Sequence, residues 1–284
     1  MHQPTDLSRR RFAIVLGTSE IASAVAVHLH RDGYGVVMSH DPFPPVIRRK
    51  MAFHDALYGD QVSVDGIAGE RADDGVQILK ALRYSPAVQV SWLSLTDLLP
   101  VGSVDVLVDA RMQKQRITPD LRRLAGLTIG LGPGFSTRIN CEVAIETRPG
   151  RSGLVVTQGW TDAADGVANP LGDAGAERFE YSQASGRWHT AVEIGSRVFK
   201  GFMLGHLSGD AVRAPCDGIV RGIVRDGCEV PEKVKLLEID PRGRHAQWTG
   251  IDGRGRTIAN AVCRAIAAHA PSQTDHDVGP FQPV

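Results

Sequence analysis

Residues 12–39 constrain the fold of this chain most, because they have the pattern of a strand, a turn, a helix and a second strand. Phe12–Leu16 is a short apolar run, and apolar side chains then recur at helical spacing over residues 21–29. Gly35–Ser39 follows as a second apolar run. Two strands separated by one helix are typical of a βαβ unit, in which the strands are parallel and the crossover is right-handed.

The same pattern continues to about residue 131. Three further apolar runs have the length of strands, and two segments between them have helical spacing. The runs cover residues 88–92, 104–108 and 127–131, and the helical segments cover residues 75–82 and 119–125, the second with Thr118 as N-cap. Residues 10–131 are therefore predicted to form a Rossmann-like α/β domain, an open and mainly parallel sheet with helices on both faces.

The periodicity and composition of the sequence change after Gly134. Helical periodicity disappears, glycines recur every few residues, and short segments such as residues 141–147 and 153–158 alternate as strands do. We therefore predict a β-rich domain over residues 132–254. A final helix is expected over residues 255–270, and residues 271–284 have too few apolar side chains to pack, so they are predicted to be a disordered tail.

An internal echo lies within the β-rich part. Gly195-x-x-Val198-x-x-Gly201 is matched 32 residues later by Gly227-x-x-Val230-x-x-Lys233. Two similar halves of this kind resemble the barrel-sandwich hybrid of biotinyl and lipoyl carriers, which bear a modified lysine on the hairpin between the halves. The corresponding residues 202–213 contain no lysine. We therefore expect the carrier fold without attached biotin or lipoate.

Composition excludes several classes of function. The 284 residues carry 32 basic and 32 acidic side chains, so no overall positive field favours nucleic acid. No run of apolar residues is long enough to span a membrane. Four cysteines without a C-x-x-C pair are typical of free thiols in a reducing compartment, and no metal site is predicted. The arginines near residue 10 resemble a twin-arginine export signal, but the following helical segment contains Glu20 and His28, which favours a cytoplasmic location.

A ligand site is predicted at the carboxyl edge of the parallel sheet, where open α/β sheets bind ligands. The strand ends and the turns that follow them bring polar groups and glycines to this edge, and a short basic run lies nearby. Arginines hold phosphate bidentately, and successive glycine amides form an anion-binding nest. The residues predicted to bind the ligand are Gly17, Ser19, Asp41, Arg48, Arg49, Asp109, Arg111, Gly130, Gly132 and Gly134.

Each of these assignments has a structural alternative. In the first turn, Ser19 and Ala22 stand where a dinucleotide-binding fingerprint has glycine, and Glu20 competes with a phosphate for the positive end of the helix. Asp41 precedes a proline and is equally typical of an ordinary turn. The glycine-rich segment 130–134 is also typical of a linker, and a short basic run is usually a solvated surface.

Cys141 is the candidate for a reactive thiol. It comes seven residues after Gly134, near the predicted site. Such a role requires partial exposure and a lowered pKa, for which Arg138 is the expected cause. The alternative is that Cys141 is a small buried hydrophobe at the start of a strand.

Eight blocks between residues 46 and 243, taken as an ordered set, resemble one known family. The blocks are residues 46–53, 56–59, 64–67, 105–112, 129–135, 144–147, 212–218 and 239–243. They are similar to the selenium-dependent molybdenum hydroxylase system accessory proteins, a family related in role to the maturation factors of xanthine and carbon monoxide dehydrogenases. The resemblance covers about residues 11–268.

The resemblance implies a maturation factor, itself not a catalyst, for molybdenum hydroxylases. It implies that the chain holds the molybdenum cofactor transiently, or assists its sulfuration and insertion. With this resemblance, Cys141 is the candidate thiol for contacting molybdenum or passing on sulfur. The implied partners are an apo molybdenum hydroxylase and a sulfur donor, and the formation of a homo-oligomer is left open. The alternative of a different class is an NAD(P)-dependent oxidoreductase of a small substrate. Signatures of self-sufficient hydrolases and kinases, such as G-x-S-x-G and the Walker loop, are absent.

Overall fold

The computed structural model describes residues 10–114 and 118–269, and its largest feature is a nine-stranded sheet. Its strands are β1 (Phe12–Leu16), β2 (Gly35–Ser39), β3 (Val62–Val64), β4 (Ile67–Arg71), β5 (Val88–Ser91), β6 (Val106–Asp109), β7 (Leu127–Leu131), β8 (Val143–Ile145) and β9 (Val155–Val156). The spatial order is β3-β4-β5-β2-β1-β6-β7-β8-β9. All neighbours from β4 to β8 are parallel, whereas β3 and β9 are antiparallel at the two edges.

Helices cover both faces of this sheet. They are α1 (Glu20–Arg31), α2 (Gly75–Tyr84), α3 (Leu95–Leu98) and α4 (Gly253–His269). The side chains of β1 alternate between the faces, so that Ala13 and Val15 pack with α1 and α4 while Ile14 packs with α2 and α3. Burial on both faces explains why the strands are continuous apolar runs. None of the helices in the described ranges is long and apolar enough to cross a bilayer.

The C-terminal helix α4 returns to the first sheet and lies beside α1. Small side chains allow the close approach, because a Cβ at Gly255 would lie only 3.3 Å from the Cβ of Ala24. Ile258 and Val262 of α4 are fully buried in the core that α1 shares with the sheet. The last helix of the described residues therefore completes the core between α1 and the nine-stranded sheet.

The second region consists of two four-stranded antiparallel sheets. Its strands are β10 (Phe179–Tyr181), β11 (Gly186–His189), β12 (Arg197–Val198), β13 (Met203–Leu207), β14 (Asp210–Arg213), β15 (Gly218–Ile223), β16 (Glu229–Val230) and β17 (Lys235–Asp240). The orders are β10-β17-β15-β12 and β14-β13-β11-β16. A separate apolar core lies around Trp188, which is fully buried and donates its indole N–H to the carbonyl of Val224 at 3.1 Å.

The 32-residue echo corresponds to repeated backbone geometry. Val198 and Val230 are both buried, and the four flanking residues all have positive φ, namely Gly195 (98°), Gly201 (84°), Gly227 (76°) and Lys233 (64°). In the first half β12 belongs to the sheet β10-β17-β15-β12, and β13 belongs to the sheet β14-β13-β11-β16. In the second half the order is reversed, because β16 belongs to the latter sheet and β17 to the former. Each half thus contributes one strand to each sheet.

The segment after β2 joins the two regions. Ile47 is buried in the core of the second region, and its carbonyl accepts the N–H of Ile223 at 2.8 Å. Arg49 donates its Nε to the carbonyl of Ile223 at 2.9 Å, and the chain then returns so that Phe53 is buried in the first core. The two regions are therefore bound to each other by backbone and side-chain hydrogen bonds.

The prediction of a mixed α/β chain with a parallel sheet, later antiparallel strands and a final helix is confirmed. The strands predicted in residues 141–147 and 153–158 belong to the first sheet, as β8 and β9, because β7 still offers a free edge there. The parallel sheet region therefore extends beyond residue 131, the boundary expected from the sequence. The predicted tail, residues 271–284, lies outside the described residues.

The helix predicted over residues 119–125 is wrong. The amide of Leu121 donates to the carbonyl of Asn140, and Arg123 has a φ of 68°, so the segment forms turns instead of a helix. The sequence interpretation also missed the hairpin of β3 and β4. Its turn residues Asp65 and Gly66 both have positive φ, which is the Asp-Gly signal of a tight hairpin.

Candidate functional site

Gly17 directly follows β1 at the carboxyl edge of the sheet, as predicted. Its φ is 100°, its amide donates to the carbonyl of Ser39 at 2.8 Å, and a Cβ there would lie 3.2 Å from the carbonyl oxygen of Ala110. Glycine is therefore required because the loop after β6 approaches closely. The contact is with the protein's own backbone.

The first turn of α1 is filled by its own polar groups. The hydroxyl of Ser19 accepts the N–H of Ala22 at 3.4 Å and caps the helix, and Glu20 pairs with Nη1 of Arg48 at 2.6 Å. A carboxylate thus already lies at the positive helix end that would receive a dinucleotide pyrophosphate. This arrangement does not favour a dinucleotide site.

Asp41, Asp109 and Arg111 come together at this edge, as predicted. Arg111 binds both carboxylate oxygens of Asp109, at 3.0 and 2.6 Å, and its Nη1 lies 4.0 Å from Asp41. The hydrogen bonds that Arg111 donates to Asp109 raise the pKa of Arg111. Asp41 also accepts hydrogen bonds from the amide of Phe43 and the side chain of Gln113. The three predicted residues are therefore satisfied by each other and by the protein.

The glycine loop does not form the predicted anion nest. The amide of Gly132 donates to the carbonyl of Ile145 at 3.1 Å, and the amide of Phe135 donates to the hydroxyl of Thr161 at 3.0 Å. A Cβ at Gly130 would overlap the ring of Phe135, and Gly134 has a φ of 84°. These glycines therefore serve packing and turn geometry, and the amides of Gly132 and Phe135 are not free to bind an anion.

Cys141 does not meet the conditions for a reactive thiol. Its side chain is fully buried in a small apolar cluster with Phe135 and Ala144, and this burial raises its pKa to about 12. The cation that acts on it is Arg122 instead of the expected Arg138, and its effect is smaller than that of burial. The alternative of a small buried hydrophobe fits the structure.

Arg48 is part of a buried ion network. Its Nε and Nη2 bind the two carboxylate oxygens of Glu238 at 2.7 and 3.2 Å. Nε of Arg178 lies 3.0 Å from this carboxylate, and Nη1 of Arg221 lies 3.3 Å from it. Burial alone would raise the pKa of Glu238, but the guanidinium groups, with Arg48 first, lower it to about 2. Glu238 is therefore ionised at neutral pH.

Further cations surround this network. Arg221 also pairs with Asp252 at 2.7 Å, just before α4, and Arg254 lies in the first turn of that helix. Nη2 of Arg254 donates to the carbonyl of Thr147 at 2.9 Å, while its buried Nε has no hydrogen-bond partner. Burial, followed by the neighbouring Arg48, lowers the pKa of Arg254 despite the opposing charge of Glu20.

Lys235 completes the cluster. Its Nζ lies 3.6 Å from the centroid of the Phe179 ring. We call the whole group the cationic junction, and it consists of Arg48, Arg178, Arg221, Arg254 and Lys235 with Glu20, Glu238 and Asp252. Five cationic side chains thus face three carboxylates. The sequence interpretation found Arg48 but missed the others, which are contributed by segments far apart in the chain.

Arg49, the second predicted phosphate ligand, lies outside the cationic junction. It pairs with Asp55 at 2.6 Å and contributes to a cleft of about 690 Å³ between the two regions. Arg225 also lines this cleft, and it pairs with Asp60 at 2.5 Å and with Asp55 at 3.4 Å. The arginines of this cleft are therefore neutralised locally by its own carboxylates.

A group of aromatic side chains lies at the carboxyl ends of β1, β2 and β5. The four rings form a closed cycle of contacts. The centroid distances are 5.3 Å for His40–His54, 5.7 Å for His54–Tyr58, 5.6 Å for Tyr58–Trp92 and 4.5 Å for Trp92–His40. The hydroxyl of Thr18 lies 2.9 Å from Nδ1 of His54, whose pKa is lowered by burial to about 3. Two neutral imidazoles therefore accompany half-exposed Tyr58 and Trp92. His40 and Trp92 directly follow β2 and β5, and this position was the available sequence signal for these two residues.

In residues 10–114 and 118–269, no three histidine, cysteine, aspartate or glutamate side chains lie together as a metal-binding group. All four cysteines are free thiols, as expected from the sequence.

No family model matches the chain. It is 30% identical over 269 residues to the uncharacterized protein YqeB of Escherichia coli K12, an alignment that covers 94% of this chain and 49% of that protein. The chain thus spans about half the length of this curated relative.

Two solved structures show a partial likeness. An aspartoacylase family protein of Mesorhizobium loti has 9% identity and a TM-score of 0.24, with 82% of this chain and 85% of that chain covered. The apo ectoine utilization protein EutE (DoeB) of Ruegeria pomeroyi has 12% identity and a TM-score of 0.26, with coverages of 82% and 86%.

Proposed function

We propose that this chain is a non-catalytic accessory protein that holds the molybdenum cofactor, as an anionic pterin, before its insertion into a molybdenum hydroxylase. The observation that carries the proposal is the cationic junction. Five cationic side chains and three carboxylates meet there in a largely buried setting. Because uncompensated positive charge is unfavourable away from water, a phosphate-bearing ligand would be bound there by charge-assisted hydrogen bonds.

The donors differ in how free they are to bind a phosphate. Arg48, Arg178 and Arg221 are engaged with Glu238, so they contribute mainly through their positive field. Arg254 retains a buried Nε without a partner, and Nζ of Lys235 contacts an aromatic ring. These two side chains are therefore the donors that we assign to the phosphate of the cofactor.

The chain's own residues would hold the organic part of the cofactor. No metal-binding group of three side chains is present among the described residues, and Cys141 is buried with a raised pKa. When bound, the cofactor supplies redox chemistry that is exerted in the client hydroxylase. We therefore assign sulfuration to a separate sulfur donor, and we assign to this chain the tasks of binding and release.

We further propose that the two β halves form a barrel-sandwich hybrid that contacts the apo hydroxylase in the cytoplasm. The repeated positive φ values around Val198 and Val230, together with the exchange of strands between two sheets, support this fold. Residues 202–213 contain no lysine, so we expect neither biotin nor lipoate on the hairpin.

The alternative function, an NAD(P)-dependent oxidoreductase, has no comparable support. Ser19 caps the helix that a pyrophosphate would approach, and Glu20 places a carboxylate in its first turn. Both features oppose the binding of a dinucleotide at this turn.

The proposal is tested by mass spectrometry of small molecules released from the chain after purification from cells that make the cofactor. We expect a phosphorylated pterin to be retained by the unchanged chain and by the exposed control Lys200→Gln. In the double variant Lys235→Gln/Arg254→Gln we expect at least about a tenfold loss of retained pterin, which corresponds to about 1.4 kcal/mol of binding free energy. Equal retention by the double variant, or a nicotinamide in place of a pterin, would contradict the proposal.

A further inference from the structure

Lys235 and Lys233 lie two positions apart in the chain, but their environments differ. Lys233 is exposed and pairs with Glu232 at 3.1 Å, whereas Lys235 is mostly buried at the start of β17. Among the described residues Nζ of Lys235 forms no ion pair, and it lies 3.6 Å from the centre of the Phe179 ring. Its amine is therefore held against an aromatic face, without a carboxylate on it.

Positive charge surrounds this amine. Burial lowers the pKa of Lys235 most, and the positive charge of Arg48 lowers it next. Lys114 and Arg178 lower it further, whereas Glu238 raises it. The net effect is a pKa of about 8. At pH 7.5 roughly a quarter of the amine would be neutral, against roughly one part in a thousand for an ordinary lysine. A lysine that is desolvated and placed beside other cations is an activated nucleophile.

We propose that Lys235 condenses with the carbonyl group of a small anionic aldehyde or ketone to form an imine within the cationic junction. The nitrogen lone pair attacks the carbonyl carbon, a C–N bond forms, and the carbonyl oxygen takes up a proton. The nitrogen then loses a proton to give a carbinolamine. A second proton adds to its hydroxyl, the C–O bond breaks as water leaves, and the nitrogen lone pair forms the C=N bond. Loss of the remaining N–H proton gives the imine and balances the second proton. The step consumes one carbonyl compound, releases one water and needs neither oxidant nor reductant. The same cations that repel an ammonium group attract the anionic part of the substrate.

This inference goes beyond the proposed function, because it concerns a covalent reaction of the chain itself and does not depend on the pterin. It is tested on the purified chain alone with pyridoxal 5′-phosphate as an anionic aldehyde probe. The imine is trapped with cyanoborohydride at pH 7.5, and the labelled lysines are identified by peptide mapping. We expect Lys235 to be labelled at least tenfold faster than exposed Lys200 and Lys233.

Three comparisons identify the cause of the labelling. Uncharged pyridoxal is expected to label Lys235 at least tenfold more slowly than its phosphate, because it lacks the anionic group. Lys235→Arg should lose the fast label while keeping the charge, and the matched control Lys200→Arg should keep it. Lys114→Gln should slow labelling of Lys235 about two- to threefold, since one of the neighbouring cations is removed.

Labelling of Lys235 no faster than that of Lys200 and Lys233, or equal rates with pyridoxal and its phosphate, would overturn the inference. Both comparisons use the unchanged chain, so they decide the matter even where Lys235→Arg fails to fold. A chain that retains a pterin but does not form the imine would contradict this inference alone. Imine formation without pterin retention would contradict the proposed function alone.

Discussion

At the scale of single residues, the same side-chain type serves as a ligand candidate or as a structural partner according to what surrounds it. Arg48 was predicted to bind a phosphate, and its guanidinium instead holds the carboxylates of Glu20 and Glu238. Glu238 is fully buried and is bound by three guanidinium groups. Removing one partner from such a group leaves uncompensated buried charge, so this carboxylate is expected to be a principal determinant of stability.

We predict that Glu238→Gln lowers the free energy of unfolding by roughly 3–5 kcal/mol, because three buried guanidinium groups lose their common anion. The measurement is the urea midpoint at unchanged m-value. The matched control is Glu229→Gln, which removes an exposed carboxylate 3.0 Å from Arg187. The control is expected to change stability by about 0–1 kcal/mol. Equal effects of the two substitutions would contradict the prediction.

The pH dependence has a defined sign. The pKa of Glu238 is lowered to about 2 in the folded state, from about 4.3 in an unfolded chain. A group with a depressed folded pKa contributes its full stabilisation above the unfolded pKa, and this contribution is lost as the pH falls towards the folded value. The difference in stability between the unchanged chain and Glu238→Gln should therefore be constant above about pH 5 and shrink towards about pH 2.

At the scale of secondary-structure elements, helix α4 completes the apolar core between α1 and the nine-stranded sheet. It begins at Gly253, after the second region has ended, and its buried face packs between α1 and the sheet. The close approach at Gly255 and Ala24 allows this contact. The helix is therefore held by tertiary packing of its buried face, which is the main source of helix stability in proteins.

We predict that Ile258→Ala, on the buried face of α4, lowers the free energy of unfolding by about 2–5 kcal/mol through lost burial and a residual cavity. The control Asn260→Ala lies on the exposed face and should change stability by less than about 0.5 kcal/mol. Chemical denaturation followed by circular dichroism measures both. A small effect of Ile258→Ala would show that α4 is not part of the cooperative core.

At the scale of the whole molecule, the two regions share contacts that should make them unfold together. Ile47 is buried in the second core although its segment lies between β2 and β3 of the first sheet. Arg48 joins Glu20 of α1 to Glu238 of β17. On the other side of the junction, Arg221 of β15 pairs with Asp252 just before α4. Unfolding either region alone would expose these buried charges without partners.

We predict a single cooperative unfolding transition for the whole chain. In the described residues α1 to α4 all pack on the first sheet, so helical circular dichroism reports that region, whereas buried Trp188 reports the second. In a variant with Trp92, Trp160 and Trp248 replaced by phenylalanine, the urea transitions seen by the two probes should coincide. Two resolved midpoints would contradict the prediction and would mean that the junction does not couple the regions.

Much of the fold could be predicted from local patterns, but most of the cationic junction could not. The bounds of β1, β2 and β7 follow from short apolar runs, and those runs reflect burial on both faces. Thr118 and Pro119 gave a strong helix signal, yet the amide of Leu121 binds Asn140 and no helix forms. The nest predicted at Gly132 failed for the same reason, because its amide is donated to a strand carbonyl.

The sequence by itself determined the periodicity of the strands and helices, because side-chain alternation and helical spacing are properties of neighbouring residues. It also determined the turns that need glycine, such as Gly17. Only the tertiary structure decided which charges meet. Arg48 and Glu238 are 190 positions apart, and their pairing and the environment of Lys235 depend on burial that local sequence rules do not contain. The folded chain brings these groups out of water together, and their chemistry follows from that shared burial.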